Sequence, residues 1–156
     1  MASYARIREG LAAAEATRTR VSTPLNLTLL AEALALAGKI EEGLAALDDA
    51  LATAAVAGVR GWDAEVHRLC SELTGRLPYS DPAKAEDSFR TALAIAHEQG
   101  TRGYELRAAT SLARMWREQG RRDEARELLA PLYRWFTDGF DTSDLKDAAR
   151  LLDELA

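Results

Sequence analysis

Apolar and polar positions alternate with a helical period along almost the whole chain. Near the start, Tyr4, Ile7, Leu11 and Ala14 fall at i, i+3, i+7 and i+10, with Arg6, Arg8, Glu9 and Glu15 between them. That stripe predicts an amphipathic helix over about residues 3–18. Thr23-Pro24 opens a second helix, with threonine as N-cap and proline at the first helical position. It runs to about Ala37, where Gly38-Lys39 makes a turn. A third helix is expected over about Glu41–Ala57, stopped by Gly58, and a fourth from about Gly61 to Gly75. Leu77-Pro78-Tyr79-Ser80 reads as a loop, and Ser80 or Asp81 caps a fifth helix that starts at Pro82 and ends near Gln99-Gly100. The sixth covers about Thr101–Gln119. The seventh runs from near Arg122 to about Phe136, with a kink expected at Pro131. Asp141 or Thr142 starts the eighth, whose face is Leu145, Ala148/Ala149, Leu152 and Leu155. Every connection is short, so consecutive helices should be antiparallel neighbours.

The pattern repeats. Gly58-Val59-Arg60-Gly61-Trp62 returns as Gly100-Thr101-Arg102-Gly103-Tyr104, 42 positions later. Gly43, Ala85 and Ala125 recur with spacings of 42 and 40, each followed four residues on by Leu47, Phe89 or Leu129. Three residues further on stand Ala50, Ala92 and Leu132. A fixed period of this size marks stacked units, none of which can bury its apolar face alone.

Composition agrees. The 156 residues suffice for one domain with a sizeable core. Hydrophobic residues make up 47%, largely Ala and Leu, with only 4 Pro, which suits closely packed helices. A net charge of −5 argues against general nucleic-acid or anionic-membrane binding, which needs a cationic surface. The lone Cys70 excludes a disulfide framework and fits a reducing compartment. Met1-Ala-Ser-Tyr-Ala-Arg has no apolar leader core, and no apolar run is long enough to span a membrane. A cytoplasmic location is expected.

The repeat resembles the tetratricopeptide pattern, a helix-turn-helix of about 34 residues with small and large residues at set positions. Laid on it from Pro24, the small positions fall on Ala31, Gly43 and Ala50, the large ones on Leu34 and Leu47, and the turn glycine on Gly38. From Leu106 the same positions fall on Ala113, Trp116, Gly120, Ala125, Leu129 and Leu132. Small residues let backbones approach and the large ones fill the gaps. The period here is longer than the standard unit, and Gly43 and Leu132 stand where alanine is usual. The middle repeat matches at Ala85, Phe89 and Ala92, but its loop is about two residues long for the pattern.

A more specific resemblance covers nearly the whole chain. Pro24–Leu51 (PLNLTLLAEALALAGKIEEGLAALDDAL), Ala85–Gly100 (AEDSFRTALAIAHEQG) and the stretch from Tyr104 ending WFTDGFDTSDLKDA are similar to one bacterial family. It is the C-terminal repeat region of predicted-ATPase regulators, many of which carry a class III adenylate/guanylate cyclase or a DNA-binding domain. The resemblance implies a regulatory, partner-sensing module with catalysis elsewhere. This chain has no phosphate-binding G-x-x-x-x-G-K-[ST] loop. It is expected to be either a cut-out fragment or a short free-standing relative, with its first helix the second half of an incomplete repeat.

The groove-facing positions of the tetratricopeptide pattern fall on Leu25, Thr28, Glu32, Ala35 and Leu36 in the first repeat. In the second they are Glu65, Arg68, Glu72, Gly75 and Arg76; in the third, Arg107, Thr110, Arg114, Arg117 and Glu118. Five arginines thus face three glutamates in the C-terminal two-thirds of the groove, within an acidic chain. Arginine forks bind carboxylates at two points, so Arg68, Arg76, Arg107, Arg114 and Arg117 are candidates for holding an acidic peptide or C-terminus. The plainer alternative is that they are solvated and pair with glutamates of their own helix.

Other constellations are weaker. His67 and Cys70, at i and i+3, offer two of the four ligands that structural zinc needs, and nothing local completes the set. Cys70 falls on a buried position of the repeat and is expected to pack in the core, with His67 partly buried. No G-x-S-x-G, H-E-x-x-H or C-x-x-C is present. Glu41-Glu42, Asp48-Asp49 and Asp153-Glu154 are sequence neighbours that diverge by about 100° on a helix, so they read as solvated faces. Trp62, Tyr104, Trp116, Tyr133, Trp135, Phe136 and Phe140 are expected in the core rather than in a ligand cage. Lys146, Asp147, Arg150, Asp153 and Glu154 give the last helix the polar outer face of a cap.

The expected fold is all-α: a tetratricopeptide-like helical-hairpin solenoid of about eight antiparallel helices, wound as a right-handed superhelix. It forms a single domain over residues 1–156, comprising a half-repeat helix (1–20), helix pairs at 23–57, 60–99 and 102–137, and a capping helix (141–156). The expected function is a non-catalytic protein- or peptide-binding scaffold, without metal or cofactor, that engages neither nucleic acid nor membrane. The competing expectation is a self-association or structural module with no separate ligand. A homodimer would then form through the uncapped N-terminal helix, where an apolar patch would be exposed.

Overall fold

A computed structural model describes residues 23–156. The helix expected over residues 3–18, and with it the N-terminal surface expected for self-association, lies outside the described residues. Among those described there are seven α-helices and no strand. They are α1 (Thr23–Leu36), α2 (Ile40–Ala57), α3 (Asp63–Gly75), α4 (Pro82–Glu98), α5 (Arg102–Glu118), α6 (Arg122–Trp135) and α7 (Ser143–Glu154). The chain is all-α, and no helix in this part is long and apolar enough to cross a membrane.

The helix ends follow from local chemistry. Asp81 caps α4, its carboxylate accepting from the Ala83 N–H at 3.0 Å, with Pro82 starting the helix. Gly58 and Gly100, 42 residues apart, both adopt φ of +66° just past a helix end. There the N–H of the following residue reaches back to a carbonyl five residues earlier, Val59 to Ala54 at 3.0 Å and Thr101 to Ala96 at 2.9 Å. This is a Schellman closure, which needs a residue tolerant of the left-handed region. Pro131 does not end α6, which continues to Trp135.

Packing is tightest within α1–α2, α3–α4 and α5–α6, and each pair also meets the next. The odd-numbered helices touch in a row, α1 with α3, α3 with α5, and α5 with α7, whereas α2, α4 and α6 do not touch one another. The row of odd-numbered helices therefore builds one continuous face, and functional groups on α1, α3, α5 and α7 can meet there.

Two apolar clusters hold the helices together. One joins α1, α2 and α3 through Leu30, Leu34, Leu47, Val66, Leu69 and Leu73. The other joins α4 to α7 through Phe89, Leu106, Trp116, Leu129, Leu145 and Leu151. The small residues of the repeat make the close approaches. Ala31, Ala50, Ala92, Ala113 and Ala125 are fully buried, and a Cβ on Gly43 would stand 3.2 Å from the Ala31 carbonyl oxygen and 3.1 Å from Leu73 Cδ1.

The aromatic residues divide. Trp116 is buried beneath the guanidinium groups of Arg121 and Arg90, 4.6 and 5.7 Å from its ring centre. Trp62 and Tyr104, one period apart, meet edge to face at 6.0 Å. Phe136 packs against the second cluster, but Trp135 and Phe140 are exposed, contrary to the expectation of core packing. The last helix turns Leu145, Ala148, Leu151 and Leu155 inward, so Leu151 rather than Leu152 forms the buried face.

Candidate functional site

Of the residues mapped to the groove, Glu32, Glu65, Arg68, Glu72 and Arg107 meet on the face of the odd-numbered helices. At its centre stands Arg68. Its side chain is 7% exposed, and it forks onto Glu65, which is 4% exposed and three residues earlier on α3. The fork bonds run from Nε to Oε2 and from Nη2 to Oε1, both at 2.8 Å. Nη1 of Arg68 lies 2.7 Å from Glu72 Oε1 and 3.3 Å from Ser111 Oγ on α5. Burial alone would disfavour the charge on Arg68. The hydrogen bonds to Glu65 and the field of Glu72 outweigh it and raise its pKa further. Arg68 is thus an internal group of this face, occupied by its own carboxylates, not an exposed contact.

Arg107 on α5 completes the centre. Its Nη1 lies 2.8 Å from Glu65 Oε1, its Nη2 3.6 Å from Glu32 of α1, and its Nε 3.7 Å from Asp144 of α7. One side chain thereby bridges all four odd-numbered helices. Glu32 has its pKa raised: burial dominates, Glu65 and Glu72 add to it, and Arg107 and Arg68 only partly offset it. Four carboxylates (Glu32, Glu65, Glu72, Asp144) surround two guanidinium groups here, so the centre carries no unspent positive charge.

The remaining arginines differ from these two. Arg117 pairs with Glu154 of α7 and lies 3.8 Å from Glu118. Arg114 is half-buried and Arg76 exposed, and among the described residues neither guanidinium makes an ion pair or hydrogen bond. Both line a cleft of about 550 Å³ between the end of α3, the start of α4 and the second half of α5. Pro82, Ala85, Phe89 and Met115 form its apolar side. Thr28 and Thr110, also mapped to the groove, are buried and donate to the carbonyls of Pro24 and Leu106 at 2.7 and 2.8 Å.

Sequence reasoning missed the contribution of α7. Asp144 and Asp147 line a second, polar cavity of about 100 Å³ together with Arg68, Arg107 and Arg114. With the Glu154–Arg117 pair, this places part of the supposed polar outer face against the groove. The available signal was the spacing of Asp144, Asp147 and Glu154, which shares one side of a helix.

Cys70 is half-buried against the first cluster, and burial, aided by Asp48, pushes its thiol up to about 11. His67 is half-buried on the same helix. Among the described residues no three His, Cys, Asp or Glu side chains gather in a metal-binding group.

No family model matches the chain. An uncharacterized protein of Rhizobium meliloti (strain 1021) is 32% identical over 109 residues, which is 70% of this chain. The chain spans about a tenth of the length of that relative.

Proposed function

We propose that this protein is a non-catalytic scaffold that binds a partner protein or peptide on the face built by α1, α3, α5 and α7. The fold proposed with it is the tetratricopeptide-like, right-handed solenoid. The role is that of a regulatory or sensor module in a bacterial, cytoplasmic signalling ATPase or cyclase system, which the sequence resemblance implies. The observation that carries the reading is Arg114. It is a half-buried guanidinium without a carboxylate partner among the described residues, set beside exposed Arg76 on a cleft with an apolar side. A cation left open in a concave, partly apolar site is suited to an acidic group from outside.

The second reading, self-association without a separate ligand, is favoured by α1. Its leucines spread around the helix, and Leu29 and Leu36 remain 44% and 88% exposed. Large apolar side chains left exposed together on one helix mark a surface suited to a partner. Light scattering across a concentration series separates the two. A scaffold remains monomeric and binds through the α3–α5 cleft; an assembly module forms a dimer that dissociates when Leu29 and Leu36 are both replaced by Ser.

A further inference from the structure

The large cleft and the small polar cavity share Glu72, Ser111 and Arg114 in their linings, so they adjoin along one groove surface with Arg114 between them. Its chemistry changes along its length. On one side of Arg114 the cleft has an apolar patch, formed by Ala85, Phe89 and Met115, beside the polar Ser71, Glu118 and Gln119. On the other side stand Asp144 and Asp147, 44% and 51% exposed; Asp144 lies 3.7 Å from Arg107 and Asp147 3.4 Å from Arg150, loose pairs that leave oxygens open to solvent, while Arg68 and Arg107 are held closely by Glu65 and Glu72. Glu72 itself is satisfied by Arg68 and by the Ser111 hydroxyl, which donates to it at 2.5 Å.

We infer that this groove takes an extended segment of a partner protein carrying an apolar side chain, a carboxylate and a basic side chain in that spatial order. The carboxylate meets Arg114, helped by Arg76. The apolar side chain covers Phe89 and Met115, and the basic one faces Asp144 and Asp147. Because cavities adjoin Arg114 on both sides, the anion is assigned to a side chain within the segment. A uniformly acidic segment is disfavoured, since its far end would meet the carboxylates of α7. The inference rests on the scaffold reading and narrows it to one partner chemistry.

The test is selection of a random peptide library displayed on phage against the full-length protein, followed by fluorescence anisotropy on the enriched peptides. Circular dichroism accompanies every variant. The inference expects enriched peptides with an acidic residue flanked by an apolar residue on one side and a basic residue on the other. Arg114→Glu should weaken them by about tenfold or more, the range of a lost hydrogen bond to a charged group. Arg114→Gln should give a smaller loss. Replacing Asp144 and Asp147 by Lys should shift the preference at the basic position to Glu. Enriched peptides without this order, but weakened by Arg114→Glu, overturn the inference and leave the scaffold reading standing; affinities unchanged by Arg114→Glu overturn both. An absence of enrichment also overturns it, and the scaffold reading then rests on whether whole proteins are captured.

Discussion

Glu65 and Arg68, three residues apart on α3, form a buried two-point fork, and the same Glu65 oxygen that takes Arg68 Nη2 at 2.8 Å also takes Arg107 Nη1 at 2.8 Å. The consequence is energetic before it is functional. A buried ion pair adds little over an apolar pair of the same shape, but losing one member strands the other without water.

Glu65→Gln should therefore cost about 3–5 kcal/mol of unfolding free energy, the range for breaking a buried pair. Combining Glu65→Leu with Arg68→Met should recover part of that loss, because the buried fork is removed as a pair, while Arg107 keeps Glu32 and Asp144 and partly exposed Glu72 keeps the Ser111 hydroxyl. Urea unfolding monitored by circular dichroism measures both. A Glu65→Gln variant within ~0.5 kcal/mol of wild type, the range of an ordinary surface substitution, would mean the fork is solvated in solution.

Glu32 supplies a pH dependence with a definite sign. Its folded pKa is raised, so the folded protein holds its proton more tightly than the unfolded chain does. Stability from this group is present below the unfolded value, near 4.5, and is lost as pH rises through the raised folded value. Glu32→Gln should accordingly gain stability relative to wild type between pH 4 and pH 7. Arg107, Arg68, Glu65 and Glu72 surround the site and are unchanged by the substitution. Paired urea titrations at the two pH values check this, and a constant difference contradicts it.

Gly43 marks a close approach of α2 to α1 and α3. Gly43→Val should destabilise by about 2 kcal/mol or more, since the added carbons meet the Ala31 carbonyl, part of a rigid helix backbone, as well as Leu73. The reference is Leu36→Val on α1, where the side chain is 88% exposed and the change should cost little. Thermal unfolding of the two variants side by side shows the contrast.

Cys70 should be slow to react. With its thiol pushed up to about 11, roughly one molecule in a thousand carries the thiolate at pH 8. Iodoacetamide should modify the native protein at least about tenfold more slowly than the urea-unfolded chain, followed by intact-mass spectrometry. Equal rates would place Cys70 in open solvent.

The helices were legible because their signals are local. Gly58 and Gly100 end helices for the same steric reason, and Ala31, Ala50, Ala85, Ala92 and Ala125 fill the small positions that the period predicts. The composition of the face was legible too, since period and register bring Glu32, Glu65, Arg68, Arg107 and Arg114 to one side. What the register does not carry is the partner each charge finds. Arg68 and Arg114 carry the same signal in sequence. Glu65 and Glu72 lie three and four residues from Arg68 and occupy it, whereas for Arg114 the corresponding Ser111 and Glu118 make no bond to it. The meeting of Asp144 with Arg107 spans 37 residues and depends on how α7 is rotated on α5. The exposure of Trp135 and Phe140 depends on the Phe136–Thr142 connection, which has no periodic signal.

The scaffold reading is tested most directly by affinity capture from bacterial cytosol with three proteins in parallel: wild type, Arg76→Glu with Arg114→Glu, and Arg126→Glu with Arg134→Glu. Arg126 and Arg134 are exposed on α6, outside the row of odd-numbered helices. The account predicts that wild type and the α6 variant retain the same partner and that the groove variant loses it while remaining folded. Retention by all three, or capture of nothing by any, would contradict it.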